Sequence, residues 1–182
     1  LVIGGGLAGM QAALDLARQG FASALVERDA ELGGNLHHID ATLDGKDVKA
    51  LLNSLIQRVM STPQITVFTG AEIKSIDGYL GNFKTVLTAN DTEHEYEHGV
   101  VIVAVGARES RPEEYLLGQD KRVVTQSEFE AMLAAQPEEM KKYRRVVMIQ
   151  CVGSRIPERP NCSRICCSVA VKNALKLKDM HP

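Results

Sequence analysis

Apolar and polar positions alternate type from the first residue onward. Residues 1–3 read as the end of a buried strand. Residues 7–18 repeat apolar side chains at helical spacing, with Leu7, Met10, Leu14 and Ala17 on one face. Gly20 stops that helix, and residues 22–27 turn apolar again. Strand, helix and strand in this order predict a parallel sheet, because the helix returns the chain to run the same way. A polar loop, "ELGGNLHHIDATLDGK", leads to a second helix over residues 47–60 and a strand over 65–69. Residues 72–76, 83–88 and 93–97 then alternate in short pieces separated by "DGYLGN" and "ANDT", the pattern of an antiparallel meander. Residues 100–105 form another apolar run ending in "GAR". Residues 108–120 read as connection, 127–133 and 137–143 as short helices, 146–150 as a new buried strand, and 162–178 as a helix.

Composition changes this picture little. With 45% hydrophobic and 24% charged residues, the 182-residue chain reads as globular, with one good core or one large and one partial domain. A net charge of -2 gives no reason to expect nucleic acid. No apolar run approaches the roughly 20 residues of a membrane span, and no secretory signal is visible. The chain opens in a strand-like run without an initiator Met and stops after a helix-like segment, so the expectation is a piece of a longer protein. Charge is uneven: residues 151–182 carry six basic and two acidic side chains, whereas acidic residues dominate before them. All four cysteines lie in that basic stretch, and positive charge favours thiolates.

Gly4-Gly5-Gly6-Leu7-Ala8-Gly9 fits G-x-G-x-x-G after a strand and at the start of a helix. Glu27 ends the next strand, followed by Arg28. In this context the motif is a dinucleotide fingerprint. Gly4 permits the turn, Gly6 admits a pyrophosphate, Gly9 lets the helix pack on the strand, and Glu27 is placed to accept from a ribose. Three features favour FAD over NAD: the second glycine pair in Gly33-Gly34-Asn35, the meander after the third strand, and the small-residue turn Ala104-Val105-Gly106-Ala107. That order resembles the FAD domain of the two-dinucleotide-binding flavoproteins, which include glutathione and thioredoxin reductases. The resemblance covers about residues 1–125 and implies that the turn at 104–107 packs against the cofactor. Their redox-active cysteine pair is missing, because the corresponding loop reads "NLHHID". Its His37 and His38 are adjacent, a poor arrangement for gripping one ion, and read as exposed or flavin-neighbouring polar residues.

Cys151, Cys162, Cys166 and Cys167 are spaced C-x10-C-x3-C-C. Structural disulfides, a structural zinc, an iron–sulfur cluster and plain buried thiols compete as readings. A bridge between the neighbours Cys166 and Cys167 would be strained. Zinc sites usually pair ligands as C-x2–4-C twice over, and cluster sites tolerate irregular spacing. Cys151 stands where a second dinucleotide unit would have its first glycine, and Gly153 stands for the next. Asn161 or Ser163 is placed to cap the following helix, and Arg155, Arg159 and Arg164 surround its start.

"VGARESRPEEYLLGQDKRVVTQSEFE", "MIQCVGSR" and "CSRICCSVAVKNALKLK" together resemble the A-subunit family of heterodisulfide reductase, along essentially the whole chain. The resemblance implies FAD and [4Fe-4S] clusters, with Cys151, Cys162, Cys166 and Cys167 as cluster ligands and Lys172 beside the flavin. It implies a cytoplasmic, homodimeric electron-transfer component of a larger complex. Its partners would be disulfide-reducing subunits and a donor of hydrogenase, formate dehydrogenase or ferredoxin type. In some members the flavin bifurcates electron pairs. The family's further cysteines are absent, and the first cysteine spacing is shortened to ten residues.

The expected architecture is α/β: a Rossmann-like FAD-binding domain with a β-meander over residues 1–125, then the truncated start of a second Rossmann-like unit over 126–182. Two other functions fit the residues less fully, an NAD(P)H-dependent FAD oxidoreductase and a zinc-binding module. The first would need a clean glycine motif after Met148, which "QCVGSR" does not supply.

Overall fold

The computed structural model describes residues 1–180. The described residues divide into two compact units. The first comprises Leu1–His37 and Lys49–Ala107; the second comprises His38–Val48 and the residues from Arg108 onward. The compact units part after Ala107, whereas the sequence pattern places the division at residue 125.

The first unit contains strands β1 (Val2–Ile3), β2 (Ser23–Val26), β3 (Ile65–Phe68) and β7 (Ile102–Val103), ordered β3-β2-β1-β7. All three pairings are parallel, as the strand–helix–strand pattern requires. Helix α1 (Leu7–Arg18) occupies the span the spacing predicts and buries Met10, Ala13 and Leu14. Helix α2 (Val48–Met60) buries Leu52, Leu55 and Val59, three residues at i, i+3 and i+7 along one stripe. The chain runs outward from β1 through β2 to β3, then returns to the other side of β1 as β7. The strand order therefore reverses at β1, the place where open α/β sheets bind ligands beyond their strand ends.

Between β3 and β7 the chain forms the predicted meander, β4 (Ala71–Tyr79), β5 (Asn82–Ala89) and β6 (Thr92–His98), paired antiparallel in sequence order. The period-2 rule is visible in β5, where Thr85, Leu87 and Ala89 are buried on one face. Leu87 and Ala89 join Leu1, Ala24, Val26 and Ala71 in a core that covers one face of the parallel sheet. The hydroxyl of buried Thr85 is satisfied by His98 Nε2 at 2.8 Å, and His98 Nδ1–H donates to the Val100 carbonyl at 3.0 Å. β7 is shorter than the predicted run and has one sheet neighbour; Val103 and Val105 are exposed.

The second unit is helical: α3 (Gln126–Ala135), α4 (Pro137–Met140) and α5 (Cys166–Met180). A reciprocal capping box starts α3. The Thr125 hydroxyl accepts from Glu128 N–H, and the Glu128 carboxylate accepts from Thr125 N–H. Phe129, Leu133 and Met140 form the core, with Met148, Leu177 and Met180 packed against them.

Residues 146–150 do not form the expected buried strand. They pair with nothing in the described residues, and Val147 is 82% exposed. An apolar run looks the same in sequence whether or not a neighbouring strand exists. A strand forms only where its N–H and C=O groups find partners, and no strand of the second unit is present among the described residues. Of the expected strand–turn–helix, only the helix is present among the described residues. That helix begins at Cys166, four residues later than expected. Ser163 Oγ accepts from Ile165 N–H within the preceding turn, so neither Ser163 nor Asn161 takes the cap position.

Candidate functional site: a glycine cradle and a four-thiol loop

In the first unit, three segments far apart in sequence meet at the ends of β1 and β7. Gly4, at a φ of 107°, follows β1; a Cβ there would collide with the Ala104 carbonyl. Gly9 faces back onto this turn, where a Cβ would collide with the Gly4 carbonyl oxygen. Gly4 and Gly9 therefore let the turn after β1, the first turn of α1 and the turn after β7 close on one another. The third segment is the 3₁₀ turn Gly34–His38. Gly33 N–H donates to the Gly5 carbonyl at 2.9 Å. Asn35 Nδ2 donates to the Ala107 carbonyl at 2.9 Å, across 72 residues of sequence.

Open space remains where the fingerprint predicts a phosphate. A Cβ on Gly6 would meet nothing within 4 Å. No side chain caps α1, and its first turn carries no acidic residue. Leu7 and Ala8 are exposed at that helix start. An uncapped helix N-terminus with its positive dipole end beside an open glycine surface suits a pyrophosphate. The structure thus brings together Gly4, Gly6, Leu7, Ala8, Gly9, Gly33, Gly34, Asn35 and the turn Ala104-Val105-Gly106-Ala107.

Glu27 is buried at the end of β2. Its Oε2 accepts from Gly5 N–H at 2.6 Å and its Oε1 from Asp29 N–H at 2.9 Å. The carboxylate therefore braces the glycine loop itself, a role the motif does not announce. Each oxygen keeps a second lone pair. Arg28 is exposed and lies 3.6 Å from Asp29. His37 and His38 are exposed, and His37 Nε2 lies 2.9 Å from the Leu32 carbonyl.

The second unit holds the thiols. Cys151 ends the unpaired run with a φ of 62°, and Gly153 follows with a φ of 64°, against Pro112. Cys162 lies in the turn before α5, where its Sγ receives the Arg164 N–H at 3.4 Å. Cys166 and Cys167 are the first two residues of α5. None of the four is in a disulfide. The Cys167 thiol is pushed above its usual range by the neighbouring charge of Cys166 first, then by burial, a hydrogen bond to Cys166, and the charges of Cys151 and Cys162. Cys167 is therefore the thiol that feels each of the other three. Among the described residues, however, no three His, Cys, Asp or Glu side chains stand close enough to hold a metal ion as placed. Four thiols are by number the donor set of a four-thiolate group, but the described residues do not gather them as one.

Lys172 lies inside the second unit. Its Nζ donates to Glu130 Oε1 at 2.6 Å and to the Ala41 carbonyl at 2.9 Å, with side-chain exposures of 14% for the lysine and 5% for Glu130. Glu130 is not among the sequence candidates. The available signal is a glutamate beside Phe129 on a helix that also buries Leu133.

The family of pyridine nucleotide-disulphide oxidoreductases matches residues 1–149. The chain belongs to that family. The match takes in the glycine cradle and ends before Cys151, so the thiol loop is not part of the shared pattern. Over its full length this oxidoreductase chain also aligns with curated proteins named as A-subunits of heterodisulfide reductase. It is 29% identical to the first iron-sulfur A-subunit of CoB--CoM heterodisulfide reductase from Methanopyrus kandleri, covering 100% of the chain and 42% of that protein. It is 41% identical over 93 residues to a heterodisulfide reductase A-subunit-like protein of Archaeoglobus profundus, covering 50% of the chain and 13% of that protein. The chain thus spans about two fifths of the length of the relatives it matches end to end. The fold is shared with L-proline dehydrogenase from P. horikoshii, at a TM-score of 0.52 and 24% identity over 58% of this chain and 22% of that one.

Proposed function

We propose that the chain is the FAD-holding part of a cytoplasmic electron-transfer subunit in a heterodisulfide-reductase-like complex, and that its four cysteines hold a [4Fe-4S] cluster. One observation carries the flavin reading: the uncapped start of α1 opens onto Gly6 where the Gly4, Gly33 and Ala104 segments converge. In this reading the first-turn N–H groups of α1 hold the pyrophosphate, Glu27 accepts from the ribose, and Asn35 with residues 104–107 lines the flavin side. Bound FAD supplies electron exchange in ones or twos, and a cluster relays them singly.

The cluster reading is supported by four free thiols before and at the start of α5, of which Cys167 feels the other three. It is supported also by a backbone N–H on Cys162 and by relatives named as iron-sulfur subunits. Hydrogen bonds to cluster sulfurs tune such sites. Further relatives are named as the A-subunits of an H(2):CoB-CoM heterodisulfide,ferredoxin reductase and of an H(2)/formate:CoB-CoM heterodisulfide,ferredoxin reductase. Those names point the proposal to hydrogenase-, formate- or ferredoxin-linked donors and a disulfide-reducing partner. The finer role proposed for the flavin is the splitting of electron pairs between two routes, within a homodimeric subunit.

Anaerobic reconstitution with iron and sulfide tests the cluster. The expected product binds iron and acid-labile sulfide with a broad absorbance beside the flavin bands. Cys→Ser at each of the four positions should lower iron and leave FAD bound. Stoichiometric zinc without iron, or unchanged iron in all four variants, would overturn it.

A further inference from the structure

α5 carries two thiols at its start, and two of its three lysines reach residues of the segment His38–Val48. Lys172 Nζ donates to the Ala41 carbonyl at 2.9 Å and to Glu130 Oε1 at 2.6 Å. The same Glu130 oxygen accepts from Asp40 N–H at 2.9 Å. One turn further along α5, Lys176 pairs with the Asp40 carboxylate. Lys172 and Lys176 are four residues apart, so they stand one above the other on a single helix face. Glu130, buried on α3, joins both ends of the clamp.

A surface loop held only by its own turns does not gather a buried carboxylate and two lysines around two consecutive residues. The segment does have local bonds: Ala41 bridges to Asp47, and Thr42 N–H donates to the Lys46 carbonyl at 3.0 Å. Val48 N–H also donates to the Asp40 carbonyl at 3.5 Å, so the segment closes on itself, and the clamp ties its base to α3 and α5. At its other end the segment continues directly from the 3₁₀ turn Gly34–His38, whose Asn35 is tied to Ala107.

We propose that Glu130, Lys172 and Lys176 form a latch by which the thiol-bearing helix holds the base of residues 38–48, and that FAD retention depends on this latch through the continuous chain to Asn35. Lys172 and Glu130 are positioning residues: they act through the segment they hold. The buried lysine and glutamate balance each other in charge, so removing one leaves the other unpaired, whereas neutralising both breaks the buried part of the latch without an orphan charge and leaves only Lys176 on Asp40. The proposal rests on the FAD reading for its second half only.

Hydrogen exchange and FAD titration of the chain test it, using Lys172→Met, Glu130→Gln, the double variant Glu130→Gln/Lys172→Met, and Lys172→Arg. In the FAD-free chain, exchange over residues 38–48 should rise in the double variant to the level of either single variant. Protection of β4, β5 and β6 should stay as in the unaltered chain, which controls for folding. Lys172→Arg should recover most of the protection. The Kd for FAD should rise about tenfold in the double variant, within the usual range of coupling between sites. Unchanged exchange over 38–48 with intact meander protection would overturn the latch. Raised exchange with an unchanged Kd would overturn its link to FAD. Failure of the unaltered chain to bind FAD would overturn the function proposed above and leave the exchange result to decide the latch.

Discussion

Single atoms decide whether the glycine loop can close. The methyl of Gly9→Ala would meet the Gly4 carbonyl, a backbone atom that cannot swing aside. Overpacking of this kind typically costs about 1–3 kcal/mol, so FAD affinity should fall about tenfold or more in a flavin-fluorescence titration. Glu27 serves the loop before any ligand arrives, because it accepts from both Gly5 and Asp29 N–H groups. Glu27→Ala leaves those donors without their acceptor at a cost of about 1–3 kcal/mol. It should therefore lower the stability of the FAD-free chain in a urea titration. A variant that lost only ribose contacts would be as stable as the parent. The motif makes the glycines legible; it does not reveal that the acidic residue is also a brace, because Gly5 and Glu27 meet only once β1 and β2 pair.

At the scale of elements, local signals are legible in the sequence and pairing partners are not. The helix over residues 7–18, the meander and the parallel pairing follow from periodicity and element sequence, whereas the strand order β3-β2-β1-β7 does not. The apolar run at 146–150 has the same periodicity content as a buried strand, yet Val147 faces solvent. Val147→Asp should shift stability by less than about 0.5 kcal/mol, as surface substitutions do; a loss several times larger in thermal unfolding would restore the buried-strand reading. Removing the α3 cap by Thr125→Ala should cost about 1 kcal/mol in the same assay. In the meander, burial holds His98 below its ordinary value of 6.5. The folded chain then binds this proton more weakly than the unfolded chain. The neutral-His98 contribution is complete above about pH 6.5 and is lost as pH falls through the folded pKa. The stability difference between parent and His98→Gln should accordingly shrink on acidification, measured by denaturation across that range.

Across the molecule, the two compact units are unequally legible. The first is specified by motifs whose spacing encodes geometry, so the cradle residues from 4 to 107 can be placed from sequence alone. The second depends on long-range polar contacts, such as Lys172 with Ala41 and Glu130, which have no periodicity to betray them. The four thiols stand out as a group because they are the only cysteines in the chain. That they are not gathered as placed has no signal in the sequence. The family match covers the first unit fully, continues through residue 149 of the second and stops before the thiols. The claim on which the rest depends is that the cradle at β1 and β7 takes FAD. Titration of the FAD-free chain with FAD, followed by flavin fluorescence and repeated with excess NADH and NADPH, tests it most directly. The account predicts saturable FAD binding that neither nicotinamide nucleotide displaces. Absence of FAD binding, or displacement of FAD by NADH or NADPH, would contradict it.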